Sequence, residues 1–108
     1  MANTYKNLGQ SQIANTTTTV YTVPGSTTGI IKELIITNTT SSAATITVYA
    51  DPDGTVADAT TAILSGWSVP ANDFLRFRCW LPMTAASTLK AVGGTNNAIT
   101  ITVSGVEY

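Results

Sequence analysis

The chain has 108 residues and a net charge of −1, and only 10% of its residues are charged, against roughly 25% in an ordinary soluble protein. This length suits one domain with a single core, and 44% hydrophobic residues with so little net charge exclude intrinsic disorder. The five cations are scattered, so we expect no nucleic-acid partner. No run approaches the ~18 consecutive apolar residues of a membrane span, so we expect no membrane partner.

The N-terminal residues are polar, with Tyr5, Leu8 and Ile13 interspersed. We expect residues 1–13 to form either an arm that orders on a partner or a first edge strand. Residues 14–108 are expected to form a single domain. The opening MANTYKNLGQ lacks the apolar segment of a secretory signal, so we expect the chain to be made in the cytoplasm.

Apolar and polar residues then alternate with a period of two, which is the period of a β-strand. The clearest examples direct Ile46, Val48, Ile99, Ile101 and Val103 to one face and threonines to the other. We predict strands at residues 17–23, 30–37, 45–49, 63–69, 74–81, 88–92 and 99–104, separated by turns. Residues 56–62 hold at most a helical turn. Seven or eight short strands predict an all-β antiparallel sandwich, either jelly-roll or immunoglobulin-like.

The predicted strand at residues 30–37 is apolar on both faces over its second half. One interpretation is a central strand that the opposed sheet covers on one side and a loop covers on the other. The other interpretation is that one face contacts a neighbouring subunit.

The segment DFLRFRCWL carries the most informative pattern in the chain. Alternation directs four side chains inward: Leu75, Phe77, Cys79 and Leu81. It leaves four on the opposite face: Phe74, Arg76, Arg78 and Trp80. Arginines beside aromatic residues are typical of protein contact surfaces, and guanidinium groups can stack on the rings. This face is therefore a partner-contact surface, ordinary scaffold packing or a platform for a sugar.

Three further side chains are candidate partner contacts: Tyr5, Leu8 and Trp67. The chain has few of the residues that catalysis commonly uses, because it contains no His and one Cys. Ser–His and Cys–His catalysis, His-ligated metal sites and an internal disulfide are therefore excluded. The sequence Asp51-Pro52-Asp53-Gly54 is predicted to form a turn, since the other ligands of a calcium loop are missing. We expect no enzyme activity, no metal and no cofactor.

Four stretches have sequences similar to those of known proteins: MANTYKNLGQ, VYTVPGSTTGIIKELIITNTTSSAATITVYADPDG, VPANDFLRF and ITITVSGVEY. In these stretches, which cover most of the chain, it resembles a group of small bacteriophage virion structural proteins. The resemblance implies a small β-sandwich built into the phage particle. It implies either a head-decoration (cement) protein on the capsid exterior or a tail or baseplate accessory.

For a cement protein, the resemblance implies that the partner is the major capsid protein or another virion protein. A homo-oligomer is expected, and a trimer at capsid threefold positions would suit the preference for closed symmetry. The alternative is a tail or baseplate component that binds another tail component, or a host-surface glycan through Trp67 or Trp80. A third hypothesis, a bacterial adhesin-type module, is disfavoured by the missing export signal.

Overall fold

The structure, a computed structural model, describes residues 5–51 and 61–108, and these form eight β-strands. The strands are β1 (Tyr5–Ile13), β2 (Thr18–Thr22), β3 (Gly29–Asn38), β4 (Ala44–Asp51), β5 (Ala62–Val69), β6 (Phe74–Met83), β7 (Thr88–Gly93) and β8 (Ile99–Glu107). Over the same two ranges, no helix has the length and apolar character needed to cross a membrane. The predicted all-β class is confirmed.

The strands form two antiparallel sheets, ordered β1-β8-β3-β6 in the first sheet and β2-β7-β4-β5 in the second. The pairing is nested, because β4 pairs with β5, β3 with β6, β2 with β7 and β1 with β8. The chain is thus an antiparallel ribbon folded over on itself, and the β3–β8 and β4–β7 pairings close it. Eight strands in this order form a jelly roll and exclude the seven-stranded immunoglobulin-like alternative.

The predicted strand positions agree with the observed ones to within a few residues at most ends. The largest difference is in β8, which continues to Glu107, because residues 105–107 pair with the start of β3. Residues 56–60 of the predicted helical turn lie outside the described residues, and Ala62 already belongs to β5. Pro52, Asp53 and Gly54 of the predicted turn also lie outside them.

The core lies between the two sheets and consists of the inward-facing half of each alternating strand. Ile46, Val48, Ile99, Ile101 and Val103 are fully buried, as predicted. The residues that alternate with them on β8, Thr100, Thr102 and Ser104, stay half-exposed on the outer face. Each fully buried aliphatic side chain contributes about 1.5–3 kcal/mol of hydrophobic stabilisation. Threonine in the outward positions keeps the strand propensity while its hydroxyl remains available to water.

A β-bulge interrupts the alternation in the middle of β3. Ile31 and Leu34 both face the core with no exposed area, so Lys32 and Glu33 both point outward. The register with both neighbouring strands shifts between Ile31 and Glu33. β3 is a central strand, between β8 and β6, and the opposed sheet covers its inner face. Whether a loop or a neighbouring subunit covers its outer face stays a prediction. Its outward Ile35 is half-buried in the row between β6 and β8.

The sandwich is closed along the flank where β1 and β2 meet, which we call the closed flank. The backbone of Gly9 packs so tightly on Val20 that a Cβ at residue 9 would collide with the Val20 carbonyl. Near this flank, the Tyr21 hydroxyl donates a 2.6 Å hydrogen bond to Glu107 Oε2. Lys6 Nζ lies 2.7 Å from Glu107 Oε1. Because Tyr21 belongs to the second sheet and the other two residues to the first, this carboxylate joins the sheets.

The hydrogen bond from the Lys6 ammonium and that from the Tyr21 hydroxyl hold the pKa of Glu107 below its ordinary value of 4.5. A lowered pKa means that the charged form favours folding, so its contribution is complete above pH 4.5 and is lost as the pH falls through the folded-state pKa. Burial, followed by the bond to Glu107, raises the pKa of Tyr21.

We expect Glu107→Gln to lower the free energy of unfolding by about 1 kcal/mol at pH 7, since Lys6 is half-exposed and screened by solvent. The difference from wild type shrinks as the pH falls below 4.5, where the wild-type carboxyl becomes protonated. Urea denaturation at a series of pH values measures both effects. Asp73→Asn, which alters an exposed carboxylate, is the control. A Glu107→Gln difference that stays constant down to pH 3 would contradict this role.

Candidate interaction surface

The four predicted contact residues of β6 form one continuous surface, which we call the aromatic–basic stripe (Phe74, Arg76, Arg78 and Trp80). Exposure alternates along β6, with Phe74 57% and Trp80 64% exposed. The four inward side chains are half-buried against the core: Leu75, Phe77, Cys79 and Leu81. The predicted division of faces is confirmed. In the part of the chain that the structure describes, β6 is an edge strand with β3 as its one neighbour.

Glu33 holds the two arginines of the stripe side by side. Its Oε2 lies 3.1 Å from Arg76 Nε and 3.5 Å from Arg78 Nε. The bulge in β3 makes this possible, because it turns Glu33 outward and places it opposite Arg78. Both arginine side chains remain more than half exposed. Exposed ion pairs add little stability, so these contacts matter chiefly because they place the two guanidinium groups beside one carboxylate.

Lys32, the other outward residue of the bulge, extends the stripe. Its Nζ lies 3.3 Å from the centre of the Trp80 ring, a cation–π contact. Lys32, Arg76 and Arg78 carry three positive charges and Glu33 one negative charge, which gives this surface a net charge of +2. The two remaining cations pair with carboxylates elsewhere: Lys6 with Glu107 and Lys90 with Asp51. Positive charge therefore collects on the stripe of a chain that is itself slightly negative.

An apolar row crosses the outer face of the first sheet beside Trp80. Tyr5, Val106, Ile30 and Pro82 lie in register on the four adjacent strands. Val106 and Ile30 are buried although they point away from the core, whereas Tyr5 is 61% exposed. The predicted contact residue Tyr5 thus shares a face with the stripe.

Leu8 and Cys79 point toward the core. Leu8, a predicted contact residue, is half-buried against the core, because the register with β8 shifts between Asn7 and Gly9. Tyr5 is therefore the exposed apolar side chain of β1. Burial raises the pKa of the Cys79 thiol, which disfavours the reactive thiolate. Among the described residues, no group of three carboxylates or thiols could hold a metal ion.

Trp67, the remaining candidate, lies on the second sheet, away from the outer face of the first. A bulge in β5 places Gly66 at φ 61°, and its N–H donates a 2.9 Å hydrogen bond to Thr47 Oγ1. This bulge brings Trp67 opposite Ile46, on the inner side of the sheet. Because β5 is an edge strand, the ring is not covered there and stays 51% exposed.

The inner side of Trp67 borders a groove between the edge strands β5 and β6, along what we call the open flank. The groove has a volume of about 100 Å³. Six residues line it: Ile36, Leu64, Trp67, Leu75, Arg76 and Phe77. Arg76 belongs to both the stripe and the groove, so the structure joins these two surfaces into one.

Sequence reasoning missed Lys32 and Glu33 as members of this surface. The available signal was the pair of charges inside an apolar run, which breaks strict alternation and indicates a bulge. Their contacts to Trp80 and the two arginines depend on the register between β3 and β6. That register follows from the bulge and cannot be derived from either strand alone.

No protein-family model matches the chain, and no curated protein matches it. A chain in the structure of infectious bursal disease virus, Gx strain, aligns at 16% identity and a TM-score of 0.48, over 98% of this chain and 30% of that chain. The Gt strain aligns at 15% identity and 0.41, over 97% of this chain and 32% of that chain. The chain spans about a third of the length of these viral chains. At these identities and TM-scores the matches assign no function.

The double variant Phe74→Ala, Trp80→Ala is expected to fold, with a loss of unfolding free energy below about 1 kcal/mol, because both rings are more than half exposed. Leu34→Ala is the matched contrast, since Leu34 is fully buried, and we expect it to lose about 3 kcal/mol. Urea denaturation compares the two. Equal losses would mean that the stripe rings belong to the packed core and not to a contact surface.

Proposed function

We propose that the chain is a non-enzymatic structural protein of a virus particle, and specifically a bacteriophage capsid decoration (cement) protein that binds and stabilises the capsid lattice from outside. The observation that carries the proposal is the aromatic–basic stripe. Exposed rings and neighbouring guanidinium groups concentrate there, whereas the other two cations pair with carboxylates elsewhere. The resemblance of the sequence to small phage virion proteins supports the same class.

The stripe has the composition of a surface that a partner covers. Phe74 and Trp80 expose large apolar rings, and aromatic and arginine side chains dominate the binding energy of protein interfaces. The contacts of Glu33 already place the two guanidinium groups side by side. A surface of this kind suits permanent docking on a rigid lattice.

The partner in this proposal is the major capsid protein or another virion protein, with acidic groups facing the stripe. The net charge of +2 on the stripe favours such a partner by electrostatic complementarity. We also propose that the chain forms a closed trimer, because a trimer matches the symmetry of the threefold positions of a capsid. Sedimentation equilibrium of the purified chain measures the oligomeric state directly.

The second candidate function is a tail or baseplate accessory that binds a host-surface glycan or another tail component. The observation that favours it is Trp67, whose half-exposed ring lies beside Arg76 at the groove. An exposed tryptophan offers a flat apolar face on which a sugar ring can lie. The number of chains per particle separates the two functions, because a decoration protein is present in hundreds of copies and a tail accessory in a handful.

Virions assembled with the wild-type chain are expected to keep their genome to higher temperature than virions that lack it. The variant Phe74→Ala, Trp80→Ala fails to attach, so its particles behave like those without the chain. Quantitative mass spectrometry gives the copies per particle, and genome release on heating gives the stability. Tyr108→Ser, which removes another exposed aromatic, is the control and keeps attachment. Equal heat stability with and without the chain would refute the reinforcing role.

A further inference from the structure

The two flanks of the sandwich differ in how well they cover the core. At the closed flank, Gly9 lies against Val20, and Glu107 links the sheets. At the open flank, β5 and β6 are separated by the groove, and Trp67 remains half-exposed although it points to the inner side. Within residues 5–51 and 61–108, the core is therefore incompletely covered along the edge of β6.

The first part of β6 is a regular edge that can accept another strand. Residues 74–78 pair with β3 in unbroken register. An edge strand directs alternate N–H and C=O groups away from its sheet, and these groups can pair with an added chain. The neighbouring edge, β5, is less suitable, because its bulge at Gly66 interrupts the register and Pro70 follows it.

We propose that an extended, acidic segment of another virion protein adds as a strand to β6 at the open flank. One of its apolar side chains fills the groove, and its acidic side chains lie beside Arg76 and Arg78. The identity of the partner as a virion component rests on the proposed function, whereas the strand addition rests on the open flank itself. Main-chain hydrogen bonds supply affinity, and the groove and the charges supply specificity.

The charge of the stripe favours an acidic segment over a second copy of this chain as the occupant. If two β6 strands paired antiparallel about Phe77, Arg76 of each copy would lie opposite Arg78 of the other. Like charges directly opposite one another destabilise a strand pair. An acidic strand instead meets a surface of net charge +2, where a single carboxylate, Glu33, serves two arginines.

The groove fits one side chain of the added strand. Inward residues of a strand beside β6 would point between the sheets, where Leu75, Phe77 and Trp67 are incompletely covered. The groove, with a volume of about 100 Å³, is small, so we expect one apolar side chain of the added strand to enter it. The expected motif is therefore an apolar residue flanked by acidic ones at alternate positions.

The test uses three synthetic peptides and the purified full-length chain. The first peptide, capped Thr-Glu-Leu-Glu-Thr-Glu-Thr, carries the expected pattern with one apolar residue. In the second, Lys replaces each Glu, and in the third, alternate backbone nitrogens are methylated to remove hydrogen-bond donors. NMR follows the indole N–H signal of Trp67 and the backbone amides of β6. We expect the acidic peptide to shift these signals and to bind at least ten-fold more tightly than the other two.

Two variants show whether the charges act as proposed. Arg76→Gln, Arg78→Gln is expected to weaken binding of the acidic peptide about ten-fold. Lys6→Gln removes a cation at the closed flank and is expected to leave binding unchanged. The folded state of each variant is checked by urea denaturation, so that loss of binding is not confused with loss of structure.

Several results would overturn strand addition. The first is that the acidic and basic peptides bind equally well, or that the methylated peptide binds as well as the acidic one. The second is that the NMR shifts are confined to β1 and β2, or that no peptide binds at millimolar concentration. The third is that the chain associates with itself through β6. Failure of the proposed function is distinguishable, because it appears as absence of the chain from virions. If the chain binds the acidic peptide but does not attach to virions, only the proposed function is refuted. If it attaches to virions but does not bind the peptide, only the strand addition is refuted.

Discussion

Nested antiparallel pairing of the chain with itself is the constraint on which the rest of the structure depends. The pairing of β1 with β8, β2 with β7, β3 with β6 and β4 with β5 fixes which strands end each sheet. It places β1 and β2 together at one flank and β5 and β6 together at the other. A tight backbone contact at Gly9 closes the first flank. The second flank stays open, and there the exposed aromatic and cationic side chains meet the groove.

The chain has few charged residues, and each of its ionic contacts has a specific structural role. Threonine occupies outward positions that lysine or glutamate would fill in many β proteins, so the sheets are polar without being ionic. Glu107 joins the two sheets, and Glu33 contacts two arginines at the surface. Because the other cations are paired, the stripe is the positively charged part of the described surface. Exposed rings and cations thus concentrate along a single edge of the described fold.

Local patterns in the sequence predicted what depends on one strand alone. Alternation in β6 gave the correct faces for Phe74 and Trp80, and β-branched residues identified the core positions of β8. Features that depend on register were missed, including the bulge that turns Glu33 toward the arginines.

Contacts between residues that are distant in the chain could not be predicted from the sequence either. Buried Asn38 donates to the carbonyls of Ser42 and Val69 and accepts from the amide and hydroxyl of Thr40. One of these partners is 31 residues away in the chain. The inward position of Trp67 likewise follows from the bulge at Gly66, which alternation does not reveal.

The measurement that tests the central claim most directly is amide hydrogen exchange of the chain on assembled virions, compared with the free chain. If the open flank is the docking site, exchange slows on binding at residues 74–80 and around Trp67, while β1 and β2 are unchanged. Slower exchange confined to β1 and β2, or no change along β6, would contradict the account.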